Sequence, residues 1–339
     1  MLMLCLPKFT SDDVVSSNQP LTHDNIPGHA GSGSLVCNGY LRRFYFTTVH
    51  LNYLIIDFIE DSQGTLLSKL WTTSAHEQRR RWNFFKDLSR VMLTLARIPF
   101  ELIGSLTIDD AGYIQLKNRP LTFRLHQMEN EGIPLAIKRD FTYSCTKHYF
   151  SDLLSCHESR IRHQNNSIIH LEDGETKLSC LAAIRALISH VINHNLENGP
   201  FVLTLTDIHP NNVFVDKDWN ITCLIDLEWA CVRPLEMILP PIWLTGKRVD
   251  EMPRGDILDA YNHLLKEFFI CFEEEERKAF NQKVSLLAMK SIRDCWHNGK
   301  IWYFHALDNP KVLVNLFFQH IRQHFSNSCG KDMDFCSKA

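Results

Sequence analysis

The chain reads Leu203-Thr204-Leu205-Thr206-Asp207-Ile208-His209-Pro210-Asn211-Asn212-Val213-Phe214-Val215-Asp216 beyond its midpoint. Ten residues after this segment, Asp226 lies within Leu224-Ile225-Asp226-Leu227-Glu228-Trp229. Short apolar runs that alternate with polar loops predict β-strands, and each predicted strand ends or begins beside a carboxylate. An asparagine, Asn212, follows the first carboxylate by five residues.

Asp207, Asn212 and Asp226 are the side-chain types that phosphoryl transfer from a nucleotide requires. One Asp orients the attacking hydroxyl or accepts its proton, while an amide and a second Asp hold the magnesium that bridges the phosphates. Pro210 fixes one backbone angle and can stiffen the loop between them. The alternative interpretation is that all three are ordinary turn residues, because Asp and Asn are common at strand ends.

The composition is that of a globular protein. The 339 residues are 45% apolar and 22% charged, with a net charge of −3, which argues against binding nucleic acid or anionic lipid through bulk charge. No apolar run approaches the ~20 residues of a transmembrane helix, and residues 1–6 lack the basic region of a signal peptide. The cysteines, 11 in all, form no C-x-x-C pair, so we expect reduced thiols and a cytoplasmic protein.

We divide the chain into a poorly ordered tail (1–40), an N-lobe remnant with a hinge (41–70), a helical C-lobe (71–326) and a C-terminal tail (327–339). The first clear strand is predicted over 53–59, and residues 105–116 are typical of a β-hairpin. Apolar residues at steps of three or four predict a helix over 76–98. Further helices are predicted over 148–163, 177–195, 257–272, 274–296 and 312–325.

The acidic run Glu273–Glu276 is interpreted as the solvated start of the helix predicted from 274. Acidic side chains suit the positive end of a helix dipole. Two pairs of histidines four residues apart, His190/His194 and His320/His324, have a spacing that can present zinc ligands. Neither pair encloses the Glu of an H-E-x-x-H motif, and we interpret them as surface or partly buried histidines.

The motif Asp-x-His-x-x-Asn at 207–212, followed by Ile-Asp-x-Glu at 225–228, resembles that of the aminoglycoside phosphotransferase-like (choline-kinase-like) enzymes, which are relatives of the protein kinases. Four further segments are similar to the fungal-type phosphotransferase branch of that family: Gly104-Ser105-Leu106, Asn118-Arg119-Pro120-Leu121, Gly199-Pro200-Phe201 and Pro240-Pro241-Ile242-Trp243-Leu244. The resemblance covers roughly residues 50–330. It implies an α+β, protein-kinase-like fold with a mostly helical C-lobe.

The resemblance also implies roles for individual residues. Asp207 is expected to be the catalytic base, and His209 to shape the catalytic loop. Asn212 and Asp226 are expected to hold Mg²⁺, with Glu228 as a supporting acid beside them. The implied reaction transfers the γ-phosphoryl group of ATP to a hydroxyl of an unidentified small molecule.

Residues 53–60 correspond to the hinge between the two lobes of such enzymes. The backbone of this hinge is expected to hydrogen-bond the adenine of ATP, with the contacts at Asp57, Phe58, Ile59 and Glu60. The implied partner is a small-molecule acceptor, with no nucleic acid and no membrane. The acceptor cannot be identified at this level, because a fold does not determine the substrate.

One part of the family pattern is missing. A kinase-like N-lobe needs a Lys on a strand and a Glu on a helix that pairs with it. The only Lys before Lys69 is Lys8, and the first Glu is Glu60. We therefore expect a truncated or vestigial N-lobe. Two alternatives stay open: a catalytically inactive, pseudokinase-like binding protein, or an incomplete gene product that lacks its N-lobe.

Overall fold

The computed structural model describes residues 4–5, 59–74, 77–252, 255–278 and 283–328. The strand predicted over 53–59 lies almost wholly outside these residues. The chain forms two compact units. One unit comprises Met1–Phe84 and His209–Glu228, and the other comprises Phe85–Ile208 and Trp229–Ala339.

The strands, in chain order, are β1 (Leu4–Cys5), β2 (Thr65–Leu66), β3 (Pro99–Phe100), β4 (Ser105–Ile108), β5 (Ile114–Asn118), β6 (Phe201–Leu205), β7 (Val213–Val215), β8 (Ile221–Leu224) and β9 (Ala230–Pro234). The helices are α1 (Leu67–Ser74), α2 (Gln78–Ala96), α3 (Phe123–Asn130), α4 (Thr146–His163), α5 (Leu171–Ala186), α6 (Ile188–Val191), α7 (Asp256–Lys278), α8 (Lys283–His297), α9 (Lys300–Asp308), α10 (Leu313–Leu316) and α11 (Arg322–Ser328). None of the described helices combines the length and the apolar content that a bilayer crossing requires.

The first unit contains an antiparallel sheet with the strand order β1-β8-β7-β2. Strands β7 and β8 form a hairpin in which Val213 pairs with Leu224. The turn between them is held by the Asp216 carboxylate, which accepts hydrogen bonds from the N–H groups of Asp218 at 2.9 Å and Asn220 at 3.0 Å. An Asp that bonds the backbone two residues ahead is a common way to begin a turn.

Trp219 occupies the same turn with a left-handed backbone, at φ 67°. Its ring is buried and stacks on Trp71 of α1, with the ring centroids 5.5 Å apart. A left-handed conformation costs most residues ~1–2 kcal/mol, and burying a tryptophan side chain offsets that cost. Gly64, just before β2, also has a positive φ, and a Cβ at this position would collide with Thr222 Oγ1.

The second unit contains a three-stranded antiparallel sheet with the order β3-β6-β9. Phe201 pairs with Pro234 at one end of this sheet, and Leu205 pairs with Ala230 at the other. Strands β4 and β5 form the predicted hairpin, which is therefore confirmed. Its turn is closed by a 2.9 Å hydrogen bond from the Gly112 N–H to the Asp109 carbonyl.

Most of the predicted helices are present, with shifted ends. Helix α2 matches the prediction for 76–98, and α4 matches the prediction for 148–163. The helix predicted over 177–195 is wrong in its extent, since α5 ends at Ala186 and is followed by the short α6. The helix predicted over 312–325 is interrupted by a π-helical turn at Phe317–Ile321.

The interpretation of Glu273–Glu276 as the start of a helix is wrong. These residues lie in the last turns of α7, where the dipole disfavours negative charge. Glu275 is buried, and its two carboxylate oxygens pair with Arg90 Nε at 2.9 Å and Lys278 Nζ at 2.6 Å. The positive charge of these neighbours therefore replaces the solvent that we expected around Glu275.

Helix α9 was not among the predicted elements, and its sequence explains why. Most of its side chains are buried, including Trp302, Phe304 and Leu307. A helix that is apolar on all sides has no periodic pattern to recognise. At its C-terminal end, Asp308 forms an ion pair with the buried Arg233 of β9. A buried guanidinium needs such a partner, because an uncompensated buried charge is strongly destabilising.

We expect the free energy of unfolding to decrease as the pH is lowered from about 7 to about 5. His157 is buried, with Nε2 2.8 Å from the Leu307 carbonyl oxygen, and burial lowers its pKa to about 4. Burial likewise lowers the pKa of His305 to about 4. Below about pH 6.5 these two histidines bind protons in the unfolded chain but not in the folded chain. Each of them then lowers the free energy of unfolding by up to ~1.4 kcal/mol per pH unit, until the pH reaches its pKa in the folded chain.

Urea denaturation at the two pH values measures this effect. His157→Gln and His305→Gln should each reduce the pH dependence of the free energy of unfolding. His190→Gln is the matched control, because His190 is exposed and should leave the pH dependence unchanged. Equal free energies of unfolding for the unmodified chain at pH 7 and pH 5 would contradict the prediction.

Candidate functional site

The loop after β6 carries Asp207 in the second unit. Both neighbours of Asp207 are anchored there. The Thr206 hydroxyl donates to the Trp229 carbonyl at 2.7 Å, and the Trp243 indole N–H donates to the Ile208 carbonyl at 2.8 Å. These two bonds fix the backbone on either side of the half-buried Asp207 side chain. The loop therefore presents this carboxylate from a held position at the end of a strand.

In the first unit, Pro210–Asn212 forms a short 3₁₀ turn that leads into β7. The turn is capped by His209, whose ring Nδ1 accepts a hydrogen bond from the Asn211 N–H at 3.2 Å. The His209 carbonyl accepts a second bond, from the Asn212 N–H at 2.9 Å. Proline suits the first position of such a turn because its missing N–H has no partner there. His209 thus shapes the loop, while any direct part in catalysis stays a prediction.

Asn212 and Asp226 leave the β7–β8 hairpin at the same end. The Ile225 N–H donates to the Asn212 carbonyl at 3.0 Å, which extends the strand pairing by one step. Asn212 is only 3% exposed. Asp226 follows Ile225 directly and has a left-handed backbone, at φ 56°. The hairpin therefore places Asn212 and Asp226 at the same end of the β7–β8 pair. Their side chains carry the hard oxygen ligands that Mg²⁺ prefers.

The electrostatic surroundings of Asp226 disfavour an uncompensated negative charge. Burial raises the pKa of its carboxyl group, and the nearby carboxylate of Glu228 raises that pKa further. The charge of His209 acts in the opposite direction. A divalent cation would relieve both unfavourable contributions, so the donor set and its charge fit magnesium.

The two histidine pairs with the spacing of zinc ligands show no such arrangement. Across the described ranges, no group of three or more His, Cys, Asp or Glu side chains is arranged to hold a metal ion. His320 instead stacks on Trp302, with the ring centroids 3.8 Å apart, and its Nε2 lies 3.0 Å from the Met252 carbonyl oxygen. This histidine therefore has a packing role.

Half of the nucleotide contacts expected at the hinge can be located. Asp57 and Phe58 lie outside the described residues, whereas Ile59 and Glu60 lie inside them. The Glu60 N–H donates to the Gln63 side chain at 3.0 Å, and the Glu60 carbonyl accepts from the Gln63 N–H at 2.8 Å. Glu60 thus begins a turn, and its contact with adenine stays a prediction.

An aromatic group beside the Asp207 loop was not predicted. The Trp229 ring packs against His126 at a centroid distance of 5.1 Å and against Phe123 at 5.7 Å. Phe123 and His126 belong to α3, which was not among the predicted helices. The sequence carries no signal for this contact, because about a hundred residues separate its two sides.

The model of the phosphotransferase enzyme family matches residues 122–270. The predicted resemblance is confirmed. The matched segment is less than half of the chain, but it contains Asp207, His209, Asn212 and Asp226. No curated protein and no solved structure gave a match.

The match to the phosphotransferase enzyme family supports two coarse statements about this chain. The family has a protein-kinase-like fold, and the α+β content of the structure agrees with that class. The family also transfers phosphoryl groups, which makes phosphoryl transfer the activity to test. Ile59 and Glu60 lie outside the matched segment, as does everything after residue 270.

We expect Asp226→Ala to be less stable than Asp226→Asn by about 1 kcal/mol. The left-handed backbone at this position is tolerated by Asp and Asn but costs other side chains ~1–2 kcal/mol. Urea denaturation of the two variants measures the difference, and Asp226→Gly serves as the control because glycine carries no such cost. Equal stability of the Ala and Asn variants would rule out backbone strain at Asp226. The comparison also identifies Asp226→Asn as the variant for functional tests.

Proposed function

We propose that this protein is a magnesium-dependent phosphotransferase that moves the γ-phosphoryl group of ATP to a hydroxyl of a small molecule. One observation carries the proposal: the segment matched by the phosphotransferase enzyme family contains every residue of the Asp-x-His-x-x-Asn and Ile-Asp-x-Glu motifs. The loop and hairpin geometry support it, because each acidic or amide side chain stands at the end of a strand whose backbone is held by hydrogen bonds.

In this proposal each side chain has one task. The Asp207 carboxylate orients the acceptor hydroxyl and takes its proton as the oxygen attacks the γ-phosphorus. The bond between that phosphorus and the β,γ-bridging oxygen breaks, and ADP leaves. Asn212 and Asp226 would hold Mg²⁺, which when bound neutralises charge on the phosphates. His209 keeps the loop in shape, and Glu60 is proposed to contact the adenine.

A second candidate is a pseudokinase-like binding protein. The observation that favours it is the absence from residues 9–59 of any Lys or Glu that could form the N-lobe ion pair. Without that pair, the α- and β-phosphates of ATP lose a charged clamp. The two candidates make different predictions for nucleotide binding.

We also propose that the protein acts in the cytoplasm. The support is its cysteine chemistry. The described cysteines Cys145, Cys156, Cys180, Cys223, Cys231, Cys271 and Cys295 are all free thiols. Burial raises the pKa of several of them, for example Cys231 to about 12, so they are protonated and unreactive at neutral pH. Free thiols of this kind are typical of proteins in a reducing compartment.

The decisive test is the affinity for Mg·ATP, measured by isothermal titration calorimetry. The phosphotransferase proposal predicts binding that is lost on chelation of magnesium and weakened at least tenfold by Asp226→Asn. Asp207→Asn is the matched control, because it changes a carboxylate that is not assigned to the metal and should bind Mg·ATP within about threefold of the unmodified chain. A folded protein that does not bind Mg·ATP would favour the binding-protein candidate.

The transfer step has its own test. Incubating the protein with γ-labelled ATP and a small-molecule extract should yield a labelled product. Asp207→Asn should reduce the rate of labelling by ~10²–10⁴-fold, the range for loss of a general base. Labelling that is unchanged in Asp207→Asn would contradict the assignment of this residue as the base.

A further inference from the structure

The second unit contains a cavity of about 380 Å³ that the proposed phosphoryl transfer does not use. It lies between the segment Ile192–Leu196, the C-terminal half of α8 and the start of α9. Its volume is within the ~300–1,000 Å³ range of small-molecule sites. All the residues that line it belong to the same compact unit.

This cavity is at the opposite end of the β6–β9 pair from Asp207. Glu236, which lines it, lies two residues beyond Pro234, the residue that pairs with Phe201 at the start of β6. Asp207 lies two residues beyond the other end of β6, after Leu205. The five residues of β6 span ~14–17 Å at ~3.4 Å per residue, so the cavity is separate from the catalytic loop.

The floor of the cavity is the buried side chain of Glu236, and burial raises the pKa of its carboxyl group. Glu236 is 6% exposed, and its two oxygens accept hydrogen bonds from the Asn193 N–H at 3.1 and 3.2 Å. Lys300 Nζ lies 3.8 Å from the same carboxylate and donates to the Val191 carbonyl at 2.6 Å. The floor therefore already has a hydrogen-bond donor in the Ile192–Leu196 segment and a cation nearby in Lys300.

The rim of the cavity is different, because it carries two opposite charges side by side. Lys290 and Asp294 both line the cavity from α8 and are exposed. In the described part of the chain, neither side chain forms an ion pair. Residues four apart on a helix have Cβ atoms ~5–6 Å apart on one face. The rim thus offers an ammonium and a carboxylate at a separation that one small molecule can bridge.

We propose that this cavity binds a small zwitterion of the α-amino acid class. The ligand carboxylate would pair with Lys290 and the ligand ammonium with Asp294, because the two charged groups of an α-amino acid are attached to one carbon. The floor and the amide side chains of Asn195 and Asn298 would face the rest of the molecule. A ligand with only one charge would leave one rim group unpaired, which makes the site selective. This inference does not depend on the proposed phosphoryl transfer.

The test is a calorimetric titration of the protein with each of the twenty standard amino acids at millimolar concentration. At least one should bind, without ATP or magnesium. Its N-acetyl and carboxamide derivatives, which each remove one charge, should bind at least tenfold more weakly. Asp294→Asn and Lys290→Met should weaken the binding by at least the same factor.

Matched controls are available on α7, where Lys266 and Asp259 are exposed and do not line the cavity. Lys266→Met and Asp259→Asn should bind the amino acid as the unmodified protein does. The proposal is overturned if none of the twenty amino acids binds, if a single-charge derivative binds equally well, or if the rim variants retain full affinity. Asp226→Asn should bind the amino acid normally, so failure of this site and failure of the proposed phosphotransferase are distinguishable.

Discussion

The antiparallel pairing of β7 with β8 is the constraint on which the candidate metal site depends. Val213 pairs with Leu224, and the bond from the Ile225 N–H to the Asn212 carbonyl continues that pairing to the end of the hairpin. Paired residues in such a ladder have Cα atoms only ~4.5–5.5 Å apart. A slip of one residue would turn the Asn212 side chain to the opposite face of the sheet. Backbone hydrogen bonds thus place Asn212 and Asp226 at the same end of the hairpin, whatever the chemistry of their side chains.

In the second unit the physical constraint is different, because several charged groups are buried there. Arg233 pairs with Asp308, Glu275 pairs with Arg90, and both oxygens of the Glu236 carboxylate accept from the Asn193 N–H. In each case the partner comes from a distant part of the chain. Such pairs contribute little net stability, but removing one partner leaves a buried charge that costs several kcal/mol. They therefore specify which elements pack together more than they stabilise the packing.

The elements that the sequence predicts correctly are those with a local signal. Helix α2 has apolar residues at steps of three or four, and the β4–β5 hairpin contains a turn sequence at Asp109–Gly112. Helix α9 has no such signal because it is apolar on all sides. The run Glu273–Glu276 gave a misleading signal, since Glu274 and Glu275 pair with Lys86 and Arg90 of α2. Burial of an acid cannot be predicted without knowing that partner.

For the candidate site, the sequence by itself determined the donor types, their spacing and the family to which the motif is similar. Those properties are local, since a carboxylate, an amide and a proline keep their chemistry in any fold. Only the tertiary structure decided that Thr206 and Trp243 hold the backbone beside Asp207. It also decided that the Glu236 carboxylate, which lines the cavity, accepts a hydrogen bond from the Asn193 N–H. These contacts join residues from 23 to 43 positions apart. Long-range contacts of this kind are set by how whole strands and helices pack, and no single stretch of sequence encodes that packing.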